Sequence, residues 1–193
     1  MLFSKQLRNF APYLGVLNMV RPEDIIQVKA FARQDGAFLS LLWIASFACI
    51  VYASGSSMGN LLMMATPFFV GWRLIKFREY ALDGVISFRR GYAYSVYTFF
   101  YASLVFMLAQ YLYFKFLDHG NFITMIQAAV NTLTPIYQQG GMNIQEIKDT
   151  VETMRSLGPM QWAFTFMMQN MFIGMVVSIF IALICVKRAQ NKK

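Results

Sequence analysis

The chain has 193 residues, of which 58% are hydrophobic, 17% aromatic and only 13% charged, and its net charge is +8. A soluble domain carries roughly a quarter charged residues, so too few polar side chains remain here to cover a surface in water. The basic residues alternate with apolar runs of membrane length and carry no helix-turn-helix, zinc or aromatic-platform signature, which sets nucleic acid aside in favour of anionic membrane lipid.

Residues 1–36 are expected to form an inner, cytoplasmic amphipathic arm. Leu2, Phe3, Leu7, Phe10, Leu14 and Leu17 recur at helical spacing among basic residues, the pattern of a helix lying on an anionic membrane surface. The basic start resembles a signal peptide, but no small-x-small cleavage site follows and Pro12 interrupts the apolar run. Pro22 followed by Glu23 and Asp24 predicts the first turn of a second, short helix.

Four segments are predicted to span a membrane: residues 37–54, 58–75, 92–117 and 160–186. Pro67 should kink the second, with Thr66 or a neighbouring helix satisfying the freed carbonyl. Cys49 and Cys185 fall in the first and last spans, about 15 Å apart in depth at the helical rise, too far for a disulfide.

Spans two and three are joined by the basic loop 73–91, inside "WRLIKFREYALDGVISFRRGY". Arg73, Lys76, Arg78, Arg89 and Arg90 make it a candidate anionic-headgroup site, with Asp83 expected to cap a helix that begins at "GVISF". The plainer reading is that these cations set orientation, with Tyr92 and Tyr94 in an interfacial belt. Fourteen of the seventeen Lys and Arg residues flank one side of the four spans, against Lys115, Lys148 and Arg155 on the other. Both termini and loop 73–91 are therefore expected in the cytoplasm.

Residues 118–159 are expected to form an outer, periplasmic helical hairpin. Phe122, Met125, Ala129, Leu133 and Ile136 share one helical face, and Ile144, Ile147, Val151, Met154 and Leu157 share another. Gln138 to Gly141 forms the turn, and Asn143 with Glu146 predicts a capping box. The two faces should pack on each other or on the membrane. Residues 160–193 hold the fourth span and a basic tail.

Residues that carry chemistry are few. His119 beside Asp118 reads as a helix-end residue, and neither metal-ligand spacing, a phosphate loop nor a nucleophile elbow occurs in the sequence. No cofactor, no metal and no catalytic residue is expected. Every acidic residue falls outside the predicted spans, which argues against a proton-coupled pump. The intramembrane polar residues Gln110, Gln169 and Asn170 are expected at similar depth, bonding across spans three and four.

Residues 29–187, and most specifically the run 65–118, resemble a bacterial family of small four-helix membrane proteins catalogued as a domain of unknown function. The resemblance implies a four-span, all-α bundle in the inner membrane of Gram-negative bacteria and an association with lipid-linked sugar enzymes. It brings no catalytic residues. The expected role is a non-catalytic accessory or scaffold subunit for a membrane enzyme, with a homo-oligomer as another possible partnership. The alternative is a small carrier or flippase for an anionic amphiphile, suggested by Pro67 and the three amides.

Overall fold

The computed structural model describes residues 22–53, 57–141 and 143–187. The amphipathic helix expected between Leu2 and Leu17 and the basic tail from Arg188 lie outside the described residues. Within them the chain is all-helical, in the order α1 (Pro22–Tyr52), α2 (Met58–Met64), α3 (Thr66–Ala81), α4 (Phe88–Phe116), α5 (Asn121–Gln139), α6 (Ile144–Arg155) and α7 (Pro159–Cys185). One isolated antiparallel bridge accompanies them, between Ile86 and Lys187, with N–H···O distances of 3.0 and 3.1 Å.

Three helical stretches are long and apolar enough to cross a membrane: Ile25–Tyr52, Phe88–Phe116 and Pro159–Cys185. At most 39% of the most apolar window in each is buried inside the protein. Phe38 and Leu41 of α1, Leu108 and Leu112 of α4, and Phe172, Phe180 and Ile184 of α7 all face outward. Lipid solvates such a surface and water does not, so this is the build of a membrane protein.

The second predicted span takes a different form. It is divided into α2 and α3 at Ala65, two residues before Pro67, and neither piece alone has the length of a span. Pro67 has no N–H for the i→i−4 ladder, and the helix breaks where that bond is missing. Thr66 does not simply serve the freed backbone there: its hydroxyl accepts the Trp43 indole N–H at 3.0 Å, fastening the break to α1.

The beginning of α1 also departs from expectation. Pro22 opens not a separate short helix but a continuous one of 31 residues that runs through "RQDG" into the first span. Val28, Ala32, Asp35, Leu39, Trp43 and Ser46 are all buried, and together they form one stripe at helical spacing.

α4 is the centre of the bundle, with α1 packed on one side and α7 on the other. Residues of α1 meet residues of α4 in ascending order, Gln27 with Arg90, Trp43 with Phe106 and Phe47 with Tyr113, so the two helices run parallel. Gly36 allows their close approach. A Cβ there would lie 2.8 Å from Tyr101 Cβ and 2.9 Å from the Thr98 carbonyl oxygen. Gly174 does the same for α7, where a Cβ would fall 2.6 Å from the Phe99 ring. Buried Ser95, Thr98, Ser103 and Ser178 return their hydroxyls to carbonyls four residues back in their own helices.

At the far end of the bundle, Phe47, Phe114, Phe122, Trp162 and Phe166 form one aromatic cluster. Asp118 caps α5 by accepting from the N–H groups of Gly120 and Phe122 at 3.1 and 2.8 Å, and from the Tyr113 hydroxyl at 2.8 Å. α5 and α6 pair with each other, and the expected face of α6 is covered, with Val151 buried and Ile144, Ile147, Met154 and Leu157 half-buried. Ile123, Ile126, Val130 and Tyr137 of α5 are half-buried, whereas Met125, Leu133 and Ile136 are exposed. Asn143 caps α6 through the Gln145 N–H at 3.0 Å, and its amide donates to Glu146 at 3.0 Å, so the reciprocal bond comes from the side chain and not the backbone.

Candidate functional site

The end of the bundle that holds loop 73–91 contains a buried polar cluster centred on Asp35. This carboxylate is 2% exposed. Arg73 of α3 donates to its Oδ1 through Nε at 2.6 Å and pairs with it through a second guanidinium nitrogen, while the Tyr94 hydroxyl of α4 donates to Oδ2. Tyr94 stacks on Phe77 at 4.9 Å, and the Arg73 guanidinium lies against the rings of Phe38 and Trp72. Charge and hydrogen bonding are thus matched on both oxygens, which a buried carboxylate requires.

Asp35 lies two residues before the expected first span, within the continuous helical stretch Ile25–Tyr52. Hydropathy alone placed the start of the span at residue 37, because "RQDG" looks like a boundary. The signal that identifies Asp35 is its place on the stripe of Val28, Ala32, Leu39 and Trp43. Tyr94, expected in an interfacial belt, is fully buried instead.

The other cations of the loop divide into committed and exposed groups. Arg78 donates to Glu79 and, at 2.9 Å, to the carbonyl of Cys185, the last residue of α7. A cation there satisfies one orphan carbonyl and complements the helix dipole. Arg90 donates to the Gln27 side chain and lies over Phe77, while the Gln27 amide reaches the Ala81 carbonyl at the end of α3. Lys76 rests against Trp72 and Tyr80. Arg89 is exposed.

Asp83 does not cap the next helix. It occupies a left-handed turn conformation (φ 50°), and α4 starts five residues later with Ser87 as its cap, accepting from the Arg90 N–H at 3.4 Å. "GVISF" is connection and cap, with helix only from Phe88. Ser87→Ala should therefore cost about 0.5–1 kcal/mol, the lower part of the range for lost caps, and Asp83→Asn almost nothing. Thermal unfolding of the two variants in detergent checks the ranking.

The three amides are not joined. Gln110 is 2% exposed, Asn170 is half-buried and Gln169 faces outward, and no hydrogen bond among the described residues links them. Asn170 instead lines a groove of about 170 Å³ with Trp43, Thr66, Pro67 and Phe99. The Gln110 carbonyl oxygen has no hydrogen-bond partner among the described residues. Cys49 and Cys185 are both free thiols. Among the described residues no group of three His, Cys, Asp or Glu is placed to hold a metal ion.

The family model described as "Protein of unknown function (DUF4199)" matches residues 34–187. The chain belongs to this family. No curated protein and no solved structure matches it. The DUF4199 region contains Asp35, Arg73, Arg78, Tyr94 and Cys185, so the ion pair and the capped end of α7 fall wholly within it. Gln27, the partner of Arg90, precedes the matched region.

Proposed function

We propose that this member of DUF4199 is a four-span inner-membrane protein that serves as a non-catalytic accessory or scaffold subunit for a membrane-bound enzyme, one of lipid-linked sugar metabolism being the expected class. In this reading α2 and α3 together form the remaining span, since their 58–81 stretch reaches about 36 Å at the helical rise, enough for a hydrocarbon core of about 30 Å. Lysine and arginine counts support this reading, with loop 73–91 and both termini in the cytoplasm, the α5–α6 hairpin outside, and anionic lipid against the basic end.

The observation that carries the scaffold reading is the cross-tying of the basic end. Asp35 joins α1 to α3 and α4, Arg78 joins α3 to α7, and Arg90 with Gln27 joins α4 to α1 and the end of α3. A carrier must rock one part of its bundle against another, and bonds that lock all the helix ends together oppose that motion. A rigid body with an exposed apolar face on α5 suits holding a partner better than moving a solute.

Affinity purification of the full chain in mild detergent, with chemical crosslinking before lysis, tests the proposal. Recovery of a membrane enzyme with the chain is expected. Recovery of the chain alone after crosslinking overturns the accessory role.

A further inference from the structure

Lys29 on α1 is exposed, and its ammonium lies over the Tyr97 ring of α4, 5.2 Å from the centroid. Arg89, at the start of α4, is also exposed. Arg89, Ala93, Val96 and Phe100 follow one another at i, i+4, i+7 and i+11, a single face of that helix. This face leads to a groove of about 150 Å³ between α4 and α7, lined by Val96, Tyr97, Phe99, Phe100, Met171 and Met175. Tyr97 belongs to both features: it bears the cation and it lines the groove.

We propose that this face seats one anionic phospholipid, with its headgroup held between Lys29 and Arg89 and one acyl chain lying in the groove. The proposal rests on the membrane reading given above and deepens it by naming the lipid class and the place. Charge complementarity selects the occupant. Asp35 and Glu79 are occupied by Arg73 and Arg78, whereas neither Lys29 nor Arg89 has a carboxylate partner among the described residues. Arg89 precedes Tyr97 by two helical turns, about 12 Å along the axis, so its charge lies on the loop side of the groove, while the Lys29 ammonium lies at Tyr97, at the groove's edge. A lipid entering with its headgroup toward that end meets positive charge first and apolar wall next. Met171 and Met175 are flexible enough to follow the contour of a chain. Arg73, Arg78 and Arg90 contribute little, being committed within the protein.

Native mass spectrometry of the full chain in detergent, titrated with phosphatidylglycerol or phosphatidylcholine, tests the seat. Phosphatidylglycerol should bind preferentially. A juxtamembrane cation contributes about fivefold in affinity, so Lys29→Gln with Arg89→Gln should weaken phosphatidylglycerol binding about 25-fold. Phosphatidylcholine binding should be unchanged, and so should the circular dichroism spectrum. Met175→Trp, which fills the groove and keeps both cations, should also displace the lipid, while Lys115→Gln at the opposite end should not. Equal binding of the two lipids by the unaltered chain overturns the proposal, as does undiminished phosphatidylglycerol binding by the double variant. Competition by inorganic phosphate as effective as by the lipid would assign a small-anion site and overturn the acyl-chain part. Partner capture is read separately, so lipid selectivity without a partner sinks the accessory role alone, and a partner without lipid selectivity sinks the seat alone.

Discussion

Asp35→Ala should be among the most destabilising single substitutions in the described bundle, at about 3–5 kcal/mol, the usual cost of removing one member of a buried ion pair. The change strands the Arg73 guanidinium, whose side chain is only 23% exposed, and leaves the buried Tyr94 hydroxyl without its acceptor. Tyr94→Phe should cost less, about 1.5–3 kcal/mol, because Arg73 still neutralises the carboxylate. Asp35→Leu combined with Arg73→Met should recover much of the loss, since an apolar pair of similar volume often replaces a buried ion pair without penalty. Unfolding in detergent micelles, followed by circular dichroism, measures all three. A double variant no more stable than Asp35→Ala would show that the pair is not the relevant unit.

The second large effect is expected at Gly36. Val introduces a Cβ that meets the Thr98 carbonyl oxygen at 2.9 Å and the Ala102 nitrogen at 3.1 Å, and backbone cannot step aside as a flexible side chain can. Overpacking of this kind costs about 1–3 kcal/mol, and here it also displaces the neighbouring Asp35 from Arg73 and Tyr94. Gly91→Ala is the matched control. Its added Cβ would find Leu74 at 3.5 Å and Ala182 at 3.7 Å, ordinary contact distances, and alanine favours the helix by up to about 1 kcal/mol. Gly36→Val should lower the unfolding temperature while Gly91→Ala keeps or raises it. The reverse order would contradict the close α1–α4 crossing.

Long apolar runs made the helices legible, because membrane length and composition dominate local choice. Pro67 indicated the break in the second apolar run to within two residues, and Asn143 indicated the start of α6. The candidate site was less legible. Arg73, Arg78 and Arg90 were recognisable as a basic cluster, but their partners lie 38, 107 and 63 residues away in sequence. Periodicity cannot reveal such pairs until the helices are placed side by side. Asp83 misled because an acidic residue before an apolar stretch has the form of a cap, whereas the left-handed turn at Asp83 and Gly84 delays the helix to Phe88. On α5 the covered side, with Ile123, Ile126 and Val130 half-buried, lies beside the expected face of Met125, Leu133 and Ile136, and periodicity alone does not separate two adjoining apolar strips.

The pairing of Asp35 with Arg73 also bears on the charge that this end of the bundle presents. A carboxylate and a guanidinium fixed together sum to zero, so at a distance they act only as a short dipole. Arg73 therefore adds little to the long-range field of the basic loop, which is left to cations such as Lys76 and Arg89. A variant that loses Asp35 alone would release one net positive charge at this end, and a rise in the isoelectric point would register it.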